Sequence, residues 1–172
     1  AGVAFTGYAA LYLTKPKLKN FYPSEFGIWW PFMDNELLHK LDAFRDQLGD
    51  KVIISPASGG IGRLKAAISD SQHILGADLT IRAVDVMVPK NLLGINYSRG
   101  GTELKKVFDL ALSLGFRGVG VYPKWQPYAG LHLDTRPKPT HRYGNYVVDT
   151  WSGVYSIAQG TNIYGAVNAA FV

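Results

Sequence analysis

The chain of 172 residues contains no cysteine, which excludes disulfides and any zinc site built on thiolates. The same absence removes the usual clue to redox compartment. Histidine is scarce: His39, His73, His132 and His141 are the only four. A metal ion in this protein must therefore be held by imidazole and carboxylate. Long apolar runs are also missing. Residues 1–14 are small and apolar, but fourteen residues fall short of the ~20 that span a bilayer. No complete signal-peptide pattern, internal repeat or low-complexity linker is present. Basic residues are scattered apart from the cluster Lys15-Pro16-Lys17-Leu18-Lys19, and no recognition-helix pattern occurs, so no nucleic-acid partner is expected.

What is present suits one domain over residues 1–172, since this length buries a core without staples. The net charge of +5 favours an acidic partner such as anionic lipid or a cell-wall polymer. Residues 1–14 allow two readings. One is a buried strand or helix that closes the core; the other is the remnant of a membrane anchor, giving membrane association through this segment.

Residues 26–32 are rich in aromatics (Trp29, Trp30, Phe32) and are expected to pack as an irregular lid. Leu37, Leu38, Leu41, Phe44 and Leu48 recur at helical spacing, with Asp34 as N-cap and Gly49 at the C-terminal end. Residues 52–55 read as a buried strand broken by Pro56, and residues 82–88 as a strand carrying one acid, Asp85. A second amphipathic helix is expected over 102–114, followed by Gly115. Short strands follow at 118–122 and 131–135, joined by a loop. The last thirty residues, rich in Tyr, Gly and Asn, suggest no clear assignment. The fold class is α+β: a small, largely antiparallel sheet with flanking helices.

Two segments could carry chemistry. One is Ser71-Gln72-His73-Ile74-Leu75-Gly76, followed by Arg82-Ala83-Val84-Asp85-Val86-Met87-Val88-Pro89. The other is Gly118-Val119-Gly120-Val121-Tyr122-Pro123, followed by Gly130-Leu131-His132-Leu133-Asp134-Thr135-Arg136. A catalytic zinc needs three protein ligands and one open position. His73, Asp85 and His132 meet that need by residue type.

The two segments resemble the signatures of the D-Ala-D-Ala carboxypeptidase and murein endopeptidase family, zinc peptidases related to the hedgehog fold. In that family a Ser-x-His-x-x-Gly-x-Ala-x-Asp segment supplies a His and an Asp ligand. A later Gly-(Val/Ile)-Gly-x-Tyr-Pro run leads into a His-x-Asp strand that supplies the second His. Ser71, His73, Gly76, Ala83 and Asp85 match the first signature. Gly118, Gly120, Tyr122, Pro123, His132 and Asp134 match the second. The likeness covers residues 50–136 and leaves both ends outside, including a C-terminal extension over 137–172.

The chain departs from that pattern in three places. Asp85 follows His73 by twelve residues, and about five residues near 77–81 read as an insertion, so Asp78 competes with the preferred Asp85 as ligand. The family's upstream arginine is displaced to Arg63 in Ser58-Gly59-Gly60-Ile61-Gly62-Arg63, where it is either a solvated cation or the group that stabilises the oxyanion. The position before the last zinc histidine offers only Ala129, Gly130 and Leu131. Asp134 is then the nearest candidate general base, or else a group that orients a ligand. Tyr122, Trp125 and Tyr128 either flank a substrate groove or pack, and Ser71 joins Tyr122 and Trp125 as a candidate substrate contact. His39 is expected in solvent and His141 in a structural role.

The resemblance implies Zn2+ as cofactor and peptidoglycan as partner, with hydrolysis of a stem peptide or cross-link in the periplasm or cell wall. Phage lysins and virion-borne enzymes belong to the same setting. The alternatives are a non-catalytic zinc-binding structural or wall-binding module of the same fold, and a dipeptidase acting on free D-Ala-D-Ala.

Overall fold

The computed structural model describes residues 2–48, 52–64, 71–89, 101–153 and 167–171. Its centre is a five-stranded mixed sheet of β1 (Ile53–Ile54), β2 (Ala83–Met87), β3 (Gly118–Tyr122), β4 (Gly130–Asp134) and β7 (Asp149–Ser152), in the order β1-β2-β4-β3-β7. All neighbouring pairs run antiparallel except β3 with β7, which are parallel. A separate hairpin joins β5 (Arg142–Tyr143) to β6 (Tyr146–Val147).

The period-two rule explains how the sheet divides its faces. Val84 and Val86 on β2, Leu131 and Leu133 on β4, and Val119 and Val121 on β3 enter the buried apolar cluster. Two helices complete that cluster. From α2 (Asn35–Leu48) come Leu37, Leu38, Leu41 and Phe44; from α3 (Gly101–Ser113) come Leu104, Val107, Phe108 and Ala111. Their helical spacing in the sequence is therefore core packing.

The ends of these helices follow their local chemistry. Asp34 Oδ2 accepts the Leu37 N–H at 3.2 Å, the N-cap bond expected for α2, and also the Thr135 hydroxyl at 2.6 Å. Gly115, at φ +79°, ends α3 in the left-handed conformation that a side chain resists. Gly49 lies outside the described residues. Buried Arg45 on α2 binds Glu25 through two bonds of 3.0 and 2.8 Å and also reaches the Asn20 and Val52 carbonyls, clamping the N-terminal segment to α2 and β1.

Three expectations change. The stretch expected as an irregular lid is a 3-10 segment (Pro23–Phe32), kinked at Gly27 with φ +56°, and it buries Phe26, Trp30 and Pro31 in the core. Residues 1–14 do not supply a buried closing element where they are described. They include α1 (Gly2–Leu13), whose Gly7, Ala9, Ala10, Tyr12 and Leu13 are exposed, Leu13 at 83%. The edge of Tyr12 meets Trp30 of the 3-10 segment, with ring centroids 6.5 Å apart. No described helix is long and apolar enough to cross a membrane. Finally, the unassigned C-terminal region supplies β5, β6, β7 and a 3-10 turn (Val167–Phe171), with β7 completing the sheet.

Candidate metal centre

The face of the sheet opposite the core carries the polar residues. One cross-strand row runs Asp85 (β2), His132 (β4), Gly120 (β3), Trp151 (β7). The next row runs Ala83, Asp134, Gly118, Asp149. The glycines of β3 are required by what lies over them. A Cβ on Gly120 would come within 2.4 Å of the Trp151 indole nitrogen, and one on Gly118 within 2.1 Å of the Asp134 carboxylate. His73 arrives from a loop. Its carbonyl accepts the Arg63 N–H at 2.9 Å, and the Gln72 carbonyl accepts the Arg82 N–H at 3.1 Å, fastening the loop across the sheet.

These elements bring three donor atoms together. His73 Nε2 and His132 Nδ1 are 3.0 Å apart, and each is 3.2 Å from Asp85 Oδ1. In a tetrahedral zinc site with bonds of ~2.0–2.1 Å, neighbouring ligand atoms stand about 3.3–3.4 Å apart, so the triangle fits. The far side of each imidazole is fixed. His73 Nδ1 lies 2.9 Å from the Ile61 carbonyl, which can only accept, so Nδ1 carries the proton and Nε2 the lone pair. His132 Nε2 lies 2.8 Å from Asp134 Oδ2, which leaves Nδ1 as the nitrogen that could meet a metal ion. Both imidazoles are buried, and with the Asp85 carboxylate they form a group that could hold a metal ion.

In the metal-free site the same contacts set the charges. Burial would raise the Asp85 carboxyl, but its bonds to His132 and His73 win and hold it at about 2. Burial would lower His132, but pairing with Asp134 and Asp85 raises it to about 9. Burial likewise opposes ionisation of Asp134, yet the bonds from His132 and Arg136 hold it below the usual carboxylate range.

Comparison with family models, with curated proteins and with solved structures returns no match. The roles of the remaining residues are therefore read from where they stand.

Asp78 is remote in role: its carboxylate accepts the Thr80 N–H at 3.1 Å and pairs with Arg82 at 2.5 Å on the surface, the part of a turn residue. Asp134 does not fit the expected part of general base. It is wholly buried behind His132, on the side of the ring away from the ligand nitrogen, and Arg136 holds it through its backbone N–H and its guanidinium. It orients His132. Arg63 stands beside the His73 loop by backbone pairing with Ile74, and its Nε donates to the Gly59 carbonyl at 3.2 Å. Ser71 supplies the carbonyl that accepts the Ile74 N–H and so shapes the turn presenting His73. Tyr122 and Trp125 stack at 4.2 Å between centroids. His39 is exposed, and exposed His141 pairs with Asp149 at 2.9 Å.

Three residues escaped the sequence reading. Trp151 packs on His132 with ring centroids 5.0 Å apart and donates from Nε1 to the Tyr122 hydroxyl at 2.8 Å. Arg136 joins Asp134 to Asp149, which it meets at 2.8 Å, and lies over the Trp151 ring. Asp149 in turn accepts from the Thr140 and His141 backbone. Arg136 sits two residues beyond Asp134 in the second signature, and that spacing is the signal that could have found it. Trp151 and Asp149 lie in a stretch with no periodic signal.

Proposed function

We propose that the chain is a zinc-dependent peptidase acting on the peptide part of bacterial peptidoglycan, with the fold of the D-Ala-D-Ala carboxypeptidase and murein endopeptidase family. The observation that carries this reading is the His73–Asp85–His132 triangle, three candidate ligands among the described residues, with the outer nitrogen of each imidazole already engaged. Three ligands rather than four is the habit of catalytic zinc sites. The resemblance of both signatures supplies the substrate class: a stem peptide or cross-link with D-amino acids near the cut, in the periplasm, cell wall or virion setting. The net charge of +5 suits an anionic wall polymer.

When bound, zinc supplies a Lewis acid that polarises the scissile carbonyl and brings the pKa of a water from ~16 towards ~7. The chain's own residues do the rest. His73, Asp85 and His132 hold the ion, while Asp134 and Arg136 keep the His132 proton on Nε2. Arg63 places a cation beside the His73 loop, suited to offset charge gathering on the carbonyl oxygen. The stacked Tyr122–Trp125 pair offers a flat wall to the peptide.

The engagement of Asp134 favours a second reading, a zinc-binding structural or wall-binding module without catalysis. The deciding experiment is digestion of purified murein by the zinc-loaded protein, with release of new amino termini followed by chromatography. A chelator and His132→Ala are the controls, and zinc content is measured on the same samples. Cleavage abolished by both controls is the expected result. Stoichiometric zinc with no new amino termini would leave the second reading standing in place of the first.

A further inference from the structure

We propose that Tyr122 is a catalytic residue, its hydroxyl donating a hydrogen bond to the oxygen of the scissile carbonyl as negative charge gathers there. This rests on the peptidase reading above and adds to it the group that aims at the developing charge.

Register places Tyr122 on the polar face of the sheet. It lies two residues along β3 from Gly120, which pairs with His132. Its ring is held in place: Trp125 stacks on it at 14° between planes, and a Cβ on Gly153 would come within 2.1 Å of its edge. The position of the hydroxyl follows from Trp151. That indole nitrogen lies over Gly120, close enough that a Cβ there would stand 2.4 Å away, and it donates to the Tyr122 oxygen at 2.8 Å. The phenol oxygen is thereby drawn along the polar face toward Gly120, whose strand partner is His132.

An oxygen that accepts from Trp151 keeps its own proton to give. Among the described residues no acceptor takes that proton. Burial pushes the phenol above its ordinary value, outweighing the Trp151 hydrogen bond. The Asp85 charge adds to the rise and the Arg63 charge opposes it. At neutral pH the group is therefore a donor and not a base. The O–H bond stays intact throughout: no proton leaves Tyr122 and no covalent bond forms to it. Arg63 contributes charge, while Tyr122 contributes direction. A fixed donor costs no reorganisation when the charge develops, which is why such groups act on kcat more than on KM.

The test compares zinc-loaded wild type with Tyr122→Phe and Trp151→Phe. It reads zinc content, kcat and KM on a purified muropeptide, and calorimetric affinity for a phosphinate analogue of the stem peptide whose P–O oxygen mimics the oxyanion. Tyr122→Phe is expected to keep full zinc and a KM within about threefold, while losing about 10²-fold in kcat and a similar factor in phosphinate affinity. Trp151→Phe, which keeps a ring but loses the N–H that aims the phenol, is expected to lose about tenfold in kcat with zinc retained. Wild-type kcat and phosphinate affinity in Tyr122→Phe overturn the proposal and leave the peptidase reading intact. Zinc-loaded wild type that neither cleaves murein nor binds the phosphinate overturns both.

Discussion

Asp134 concentrates its bonds on one task. Its two oxygens take the His132 Nε2 proton at 2.8 Å, the Arg136 N–H at 3.0 Å and the Arg136 guanidinium at 2.6–3.1 Å. An ionised carboxylate with those partners locks the His132 tautomer and strengthens its ligand nitrogen. Asp134→Asn keeps the shape but removes the charge, and zinc affinity is expected to fall about 10–100-fold, measured by competition with a chromophoric chelator. Asp78→Ala is expected to leave that affinity unchanged, because Asp78 serves only its own turn and Arg82. The three residues that could hold a metal were named from the sequence through the resemblance of the two signatures, in a cysteine-free chain with only four histidines. The part played by Asp134 was not. Two residues along a strand share a face, so His-x-Asp spacing puts the acid beside the histidine without saying which ring nitrogen it meets. Here His132 presents Nδ1 to the site and Nε2 to Asp134, and the acid therefore supports the ligand from behind.

Strand β3 shows why glycines alternate with valines. Val119 and Val121 fill the core, while Gly118 and Gly120 leave room on the other face for Asp134 and Trp151. The alternation was readable as a strand, and the observed bounds of Gly118–Tyr122 coincide with those expected. What lay over the glycines was not readable. Trp151 belongs to β7, which joins β3 in parallel after the β5–β6 hairpin, and a pairing between distant segments leaves no local pattern. A methyl group on Gly118 would fall 2.1 Å from the Asp134 carboxylate, which Arg136 holds and which cannot easily give way. Gly118→Ala is thus expected to weaken zinc binding about as much as Asp134→Asn, although residue 118 touches no ligand. Gly120→Ala meets Trp151 instead. It is expected to change tryptophan fluorescence with zinc affinity largely kept. Equal zinc affinity in Gly118→Ala and wild type, by chelator competition, would show that Asp134 can shift without cost to His132.

At the scale of the whole molecule, the candidate site joins two strands of one sheet to a loop, so the proposed metal binding is linked to folding. In the metal-free protein two groups set the pH dependence. The Asp85 carboxyl is depressed to about 2, so its contribution is present above ~4 and is lost as pH falls through the folded value. His132 is raised to about 9, so its contribution is present below ~6.5 and is lost as pH rises through the folded value. Metal-free stability from this pair is therefore greatest between about pH 4 and 6.5 and declines on the alkaline side. On the proposed reading zinc follows the opposite course. It needs the lone pair of His132, so binding displaces a proton, and proton competition eases as pH rises. At a hundredfold excess over its dissociation constant, zinc adds about 2.7 kcal/mol to the folded state. The difference in Tm between zinc-loaded and chelator-treated protein is accordingly expected to widen from pH 6 to pH 9, as followed by scanning calorimetry. A difference that stays flat across that range means no proton leaves on binding, and His132 is then not a ligand.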